Sequence, residues 1–271
     1  MKKIALSSLI AVMAVSAANA ANVIDGNPLY MPKQGHFYSV TDVASHTEFN
    51  TPWALGEEFG YGITDRLTVA LSTVAMENNA FDDAAWGETR LGLVYRPLSM
   101  CGWKLDLLGA YAVDRTWENH EAFLDEDFTR YTWTAGVRGG FVTSRFTFAG
   151  KALFNYENTE SFNWDESRGQ RGVHSLVFGV DGQYVIDSNW NLVAGAEYTG
   201  YTDKEWYGIP GAKVKNAGTW DGVFGVNYNI DTTKYVGVYV NGSLNHQGGD
   251  DNNKWDWDNG FGFGAKFGID F

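Results

Sequence analysis

The sequence predicts an all-β fold, a closed antiparallel transmembrane β-barrel of about twelve strands. Three observations carry that reading. Period-two alternation of apolar and polar residues recurs from residue 36 to the C-terminus. The chain holds 11 Trp, 14 Tyr and 17 Phe yet only 5 Pro. After residue 20 it has no apolar run long enough for a spanning helix. In a bilayer every backbone polar group must be satisfied internally, and a closed barrel does this with strands.

The first twenty residues stand apart. Lys2 and Lys3 precede the apolar stretch Ile4 to Val15, which is too short to span a bilayer, and Ala18-Asn19-Ala20 supplies a small-x-small cleavage pattern. Residues 1–20 therefore read as a signal peptide, residues 21–35 as a periplasmic N-terminal segment and residues 36–271 as the barrel domain. Removal of Lys2 and Lys3 leaves 18 basic and 33 acidic residues, net −15. That sign disfavours nucleic acid as a partner. Cys101 is the single cysteine, so no internal disulfide forms.

The last strand shows the alternation most cleanly. Phe261, Phe263, Ala265, Phe267, Ile269 and Phe271 fall on one face, and Gly262, Gly264, Lys266, Gly268 and Asp270 on the other. A greasy face and a small or charged face fit lipid outside and lumen inside. Outward sets of the same kind follow along the chain. They include Leu67-Val69-Leu71, Leu91-Leu93-Tyr95, Trp103-Leu105-Leu107-Tyr111 and Tyr131-Trp133-Ala135-Val137-Phe141. Further sets begin at Phe146, Leu176, Trp190, Trp220 and Val236, and strands near 36–45 and 52–63 complete twelve.

The connections alternate in length. Residues 64–66, 96–102, 142–145, 187–189 and 231–234 are short, whereas 77–86, 115–128, 157–172, 202–218 and 246–259 are long. Short turns at one end and long loops at the other are the habit of such barrels, the short side being periplasmic. Tyr61, Tyr95, Trp103, Tyr184, Trp190, Tyr228 and Tyr235 are expected in the periplasmic aromatic girdle. Trp53, Trp86, Tyr131, Tyr156, Tyr198 and Trp220 are expected in the outer one. Glu57 breaks the pattern, because it shares the outward phase of Leu55 and Phe59. A bulge near Gly56 would turn it inward.

Phe271, with Ile269, Phe267, Ala265 and Phe263 before it at every second position, resembles the assembly signal that ends outer-membrane β-barrel proteins. The resemblance implies insertion by the barrel-assembly machinery, with Phe271 as the key position. It also implies outer-membrane lipid and lipopolysaccharide as surroundings. Glu58 to Leu67, followed by Gly87 to Tyr95, is similar to a strand–turn–strand run of several outer-membrane transporter families.

Opposite the greasy faces lie Glu58, Glu88, Arg90, Lys104, Asp106, Arg130, Arg138, Lys151, Asp181, Glu197, Asp221, Lys266 and Asp270. Six are basic and seven acidic, so the lumen lanes are nearly neutral. Segments 46–51, 77–86, 115–128, 157–172, 202–218 and 246–259 hold 19 acidic and 7 basic residues, net −12. Such a wall suits a narrow porin-like channel for small polar solutes with weak cation preference. The alternative is a plugged structural or surface-exposed barrel whose interior salt bridges only hold it shut. Gly92, Gly136, Gly179, Gly225 and Gly264, with Thr132 and Thr134, are expected to leave lumen space and favour the pore. An outer-membrane hydrolase is a further alternative. His174 and Ser175, being adjacent on a strand, face opposite sides, and His120 with Asp125 and Asp127 reads as an acidic surface loop. No enzyme activity and no cofactor are therefore expected. The spacing of Asp250, Asp251, Asp256 and Asp258 does not match a calcium loop.

Overall fold

The computed structural model describes residues 27–46, 53–77, 84–116, 127–162, 167–202, 204–205, 213–214, 218–246, 255–256 and 261–271. Twelve long strands form one antiparallel sheet. They are β1 (Phe37–His46), β2 (Trp53–Thr64), β3 (Leu67–Glu77), β4 (Ala84–Met100), β5 (Trp103–Thr116) and β6 (Asp127–Val142). After them come β7 (Phe146–Phe162), β8 (Ser167–Val185), β9 (Trp190–Thr202), β10 (Gly218–Asn229), β11 (Lys234–His246) and β12 (Phe261–Asp270). Each pairs with its neighbours in sequence, and β12 returns to β1 in register from Tyr38–Asp270 to His46–Gly262. Closure leaves no sheet edge, which satisfies the backbone without water. Two-residue ladders, Lys204–Glu205 with Lys213–Val214 and Trp255–Asp256 against the end of β11, lie at the long-loop end.

The alternation read from the sequence holds on both faces. Phe59, Leu71, Leu91, Trp133, Phe178 and Phe224 are exposed on the outside, while their strand neighbours are buried or part-buried on the lumen side. A chain that turned this exterior toward water would present a broad apolar belt, so the exterior is a lipid-facing surface.

Several boundaries differ from those expected. β4 to β8 run through segments assigned above to long loops, with Asp127 of β6 opposite Phe162 of β7 and Phe162 opposite Ser167 of β8. Strands of 16–19 residues at roughly 3.3 Å per residue are longer than a tilted strand needs to cross the apolar band, so these hairpins project beyond it. On the other side β4 continues to Met100, and the expected turn 96–102 shrinks to Cys101-Gly102, with φ of 51° and 83°. The register slips between Tyr95 and Leu98, so that Arg96 and Pro97 oppose Asp106 alone. A bulge accommodates a proline that has no N–H for the ladder, and it returns Leu98 to the outer face, while Arg96 keeps the inward phase of Val94.

No bulge occurs at Gly56. β2 pairs continuously with β1 from Trp53 to Tyr61 and with β3 from Ala54 to Gly62. Glu57 therefore stays on the outer face, and the hydroxyls of Ser39 and Thr41 on β1 donate to its two oxygens, each at 2.6 Å. Tyr235 is also displaced from its expected place in the girdle. It lies in the lumen, 1% exposed, because Val236, Val238 and Val240 take the outward phase of β11.

The short turns are closed by side-chain caps. In the β10–β11 turn the Thr233 backbone N–H and hydroxyl donate to Asp231 Oδ1 at 2.7 and 2.8 Å, which holds that carboxyl below its usual range. Residues 27–36 fold into the short-turn end of the barrel, with Leu29 and Pro32 fully buried.

Candidate functional site: the lumen wall

Several lumen side chains lie flat over glycines of neighbouring strands. Tyr38 rests over Gly60 of β2, where a Cβ would sit 1.9 Å from its ring, and its hydroxyl donates to Glu58 Oε1 at 2.7 Å. Tyr239 covers Gly264 and donates to Asp42 Oδ1 at 2.8 Å, while Tyr235 covers Gly268. Lys151 passes over Gly179 to reach Glu197. Gly225 lies beneath Tyr239 and Val193, and Gly136 beneath Leu153. The expectation that Gly136, Gly179, Gly225 and Gly264 leave lumen space is thus overturned. These glycines are sites where a neighbour's side chain lies flat, the packing that rescues a bare glycine in a sheet.

Charged side chains gather in three groups. Near the short-turn end, Asp106 is fully buried between two arginines. Arg96 donates from Nε and Nη2 at 2.6 and 3.0 Å, and Arg138 from Nε and Nη2 at 3.0 and 2.5 Å. Arg96 Nη2 also donates to the carbonyl of Leu29 at 2.8 Å, which ties the N-terminal segment to the wall. Lys104 stands beside this cluster, part-exposed, so three cations surround one carboxylate.

A second group occupies β7 to β11. Lys151 pairs with Glu197 and lies 3.9 Å from Asp181. Asp221 is directly opposite Glu197 in register and accepts from the Ser243 hydroxyl at 2.5 Å. Here three carboxylates face one lysine, the reverse of the first group.

The third group closes the seam. Lys266 lies 3.4 Å from Asp42 and 4.8 Å from the Tyr239 ring, a cation–π contact. Away from the seam, on β4, Arg90 donates to Glu88 at 2.8 Å. Asp270 accepts from the Tyr30 hydroxyl at 2.9 Å and sits 3.7 Å from His36. Arg130 lies on β6 opposite Asp114 and Thr159, with its side chain outside the described residues.

The wall is thus polarised across the lumen, cationic on β4 to β6 and anionic on β8 to β10, and the two sides are close. Asp181 lies within electrostatic reach of Arg138 and Lys266, and Glu197 within reach of Arg90. Every lumen candidate with a described side chain does face the lumen. Sequence reasoning missed Tyr38 and Asp42, whose strand was the least defined, Tyr239, an uncharged residue in the inward phase of β11, and Arg96, hidden in an assumed turn.

The N-terminal segment narrows the short-turn end. Its Gly35 N–H donates to the Gly62 carbonyl at 2.8 Å, its Gln34 N–H to Asp65 Oδ1 at 3.0 Å, and Tyr30 packs edge-on against Tyr38 at 5.9 Å. Gly62 must lack a side chain here, because a Cβ would fall 2.2 Å from the Lys33 carbonyl oxygen.

The other expected features fall as follows. His174 is exposed on the outside against Phe154 and Tyr156, whereas Ser175 is buried in the lumen, so the two do not meet. His120, Asp125, Asp250, Asp251 and Asp258 lie outside the described residues. Phe263, Ala265, Phe267 and Phe271 face outward, and Phe271 exchanges backbone hydrogen bonds with Phe37 at 2.7 and 2.8 Å. Ile269 shares their phase and is part-buried.

Neither a protein-family model nor a curated protein sequence matches the chain. Solved structures do resemble it. The translocator domain of the autotransporter NalP from Neisseria meningitidis is 10% identical with a TM-score of 0.54, over 100% of this chain and 97% of that one. The NanC porin is 10% identical with a TM-score of 0.50, over 86% and 98%. An outer membrane channel from Pseudomonas putida F1 is 12% identical with a TM-score of 0.49, over 92% and 99%. At such identity the likeness speaks for the fold, and with the broad apolar exterior it makes this chain a twelve-stranded β-barrel of the outer-membrane type.

Proposed function

We propose that the barrel is a narrow outer-membrane channel for small polar solutes, restricted at its short-turn end by its own N-terminal segment. The observation that carries the reading is the polarised wall, with surplus cations around Asp106 facing surplus carboxylates around Lys151. An interior that needed only to be filled is served better by apolar packing, since buried ion pairs add little net stability. Opposed charges along a lumen impose a transverse field on whatever passes. The resemblance to the NanC porin supports the same reading.

A second reading, a plugged structural barrel, is favoured by the tightness of the wall, where Asp106, Ser243 and Leu29 are 0% exposed. Twelve strands lie between small barrels filled by side chains and large ones that hold a channel. Folded protein in planar bilayers separates the two. Small stepwise conductance is expected from a channel, and silence from heat-modifiable, folded protein would establish the plugged barrel.

A further inference from the structure

The outer face of β1 to β4 carries a polar row that no lipid-facing surface needs. Thr41 is opposite Glu57, Glu57 opposite Thr73, and Thr73 opposite Thr89, so four strands contribute one continuous cross-strand row. The Thr73 and Thr89 hydroxyls are 3.2 Å apart. Leu55, Phe59, Leu71 and Leu91 flank the row and are about half exposed. Glu57 lies midway between Trp53 and Tyr61, the two girdle residues of its strand. Among the described strand residues between the girdles, it is the one lipid-facing Asp, Glu, Lys or Arg.

We propose that this face is the contact surface of a homodimer, with Glu57 and Thr73 at its centre. Hydrocarbon offers a carboxylate no hydrogen-bond partner, and ionisable groups at mid-membrane depth face protein or water. Two copies in one membrane are related by rotation about its normal, which brings the same face of each together at the same depth. The row is self-complementary under that rotation. A carboxylate accepts about four hydrogen bonds, and Ser39 and Thr41 supply two. The Thr73–Thr89 pair of the second copy, in which one hydroxyl proton stays free, supplies a third donor, and the flanking leucines and Phe59 seal the contact from lipid. Polar side chains holding membrane elements together in this way are a general device.

Cysteine cross-linking in the outer membrane tests the proposal, independently of whether the lumen conducts. In a Cys101→Ser background of the full chain, Thr73→Cys is placed on the proposed face and Phe178→Cys on β8, far around the barrel. With a membrane-permeant bismaleimide, Thr73→Cys should give a band of doubled mass and Phe178→Cys none. Adding Glu57→Leu should lower the Thr73→Cys adduct several-fold while the folded, heat-modifiable band persists, because leucine suits lipid. Equal cross-linking at both sites overturns the proposal, as does an adduct of any mass other than double. So does absence of adduct from folded Thr73→Cys protein, or an adduct insensitive to Glu57→Leu.

Discussion

Asp106 shows how one lumen residue governs its surroundings. It accepts four hydrogen bonds from two buried guanidiniums, and each arginine would be stranded without it. Asp106→Ala leaves two uncompensated cations, a loss of about 3–5 kcal/mol in unfolding free energy, measurable by urea titration in vesicles. Asp106→Asn keeps the shape but not the charge and should fall between the two. Gly60 is a second such position. Gly60→Ala puts a methyl into the Tyr38 ring and breaks the bond to Glu58, with a cost of about 1–3 kcal/mol. In a Tyr38→Ala background the same change should cost close to nothing, so the double-mutant cycle reads the contact directly. The phase of both residues was legible from alternation. Their partners were not, because Tyr38 meets Gly60 only through strand register, which period-two reading leaves open.

At the scale of the element, legibility followed the solvent on each face. Strands between lipid and lumen are forced to alternate, and so β12, β5 and β7 stood out. β1 was faint because its outer face carries Ser39, Thr41 and Ser45, residues that resemble a lumen lane until Glu57 is seen to engage two of them. The N-terminal segment carried no periodicity at all, and its place in the short-turn mouth depends on single contacts to Gly62, Arg96 and Asp270. Deleting residues 27–34 should leave the β1–β12 closure intact and raise single-channel conductance several-fold, and unchanged conductance from folded protein would show that the segment is no constriction. The final strand makes a separate prediction. Phe271 binds Phe37 by two backbone hydrogen bonds and stacks on its ring at 6.2 Å, at the point where the barrel closes. Deletion of Phe271 should therefore reduce the heat-modifiable, folded fraction in the outer membrane, whereas Phe271→Tyr should retain it. Normal folded yield from the truncated chain would refute a role in assembly.

For the whole molecule, what matters is how charge is divided along the barrel axis. The segments that join the strands at the long-loop end carry 19 acidic and 7 basic residues, net −12. At the other end Arg96, Lys104 and Arg138 outnumber Asp106 three to one. The two ends pull permeating ions in opposite senses, so cation preference should be mild. Salt then decides between them. Charges in water act over a Debye length of about 8 Å at physiological ionic strength, shrinking to about 3 Å at 1 M, whereas charges inside the wall are screened much less. Reversal potentials should therefore favour cations at low salt and move toward neutrality, then toward anions, as salt rises. Replacing Asp250, Asp251, Asp256 and Asp258 together with asparagine should remove much of the low-salt preference and leave the high-salt value where it was. Lys104→Gln should do the converse, leaving the low-salt preference and abolishing the drift toward anions. Anion selectivity already present at low salt would mean that the basic cluster, and not the acidic mouth, controls entry.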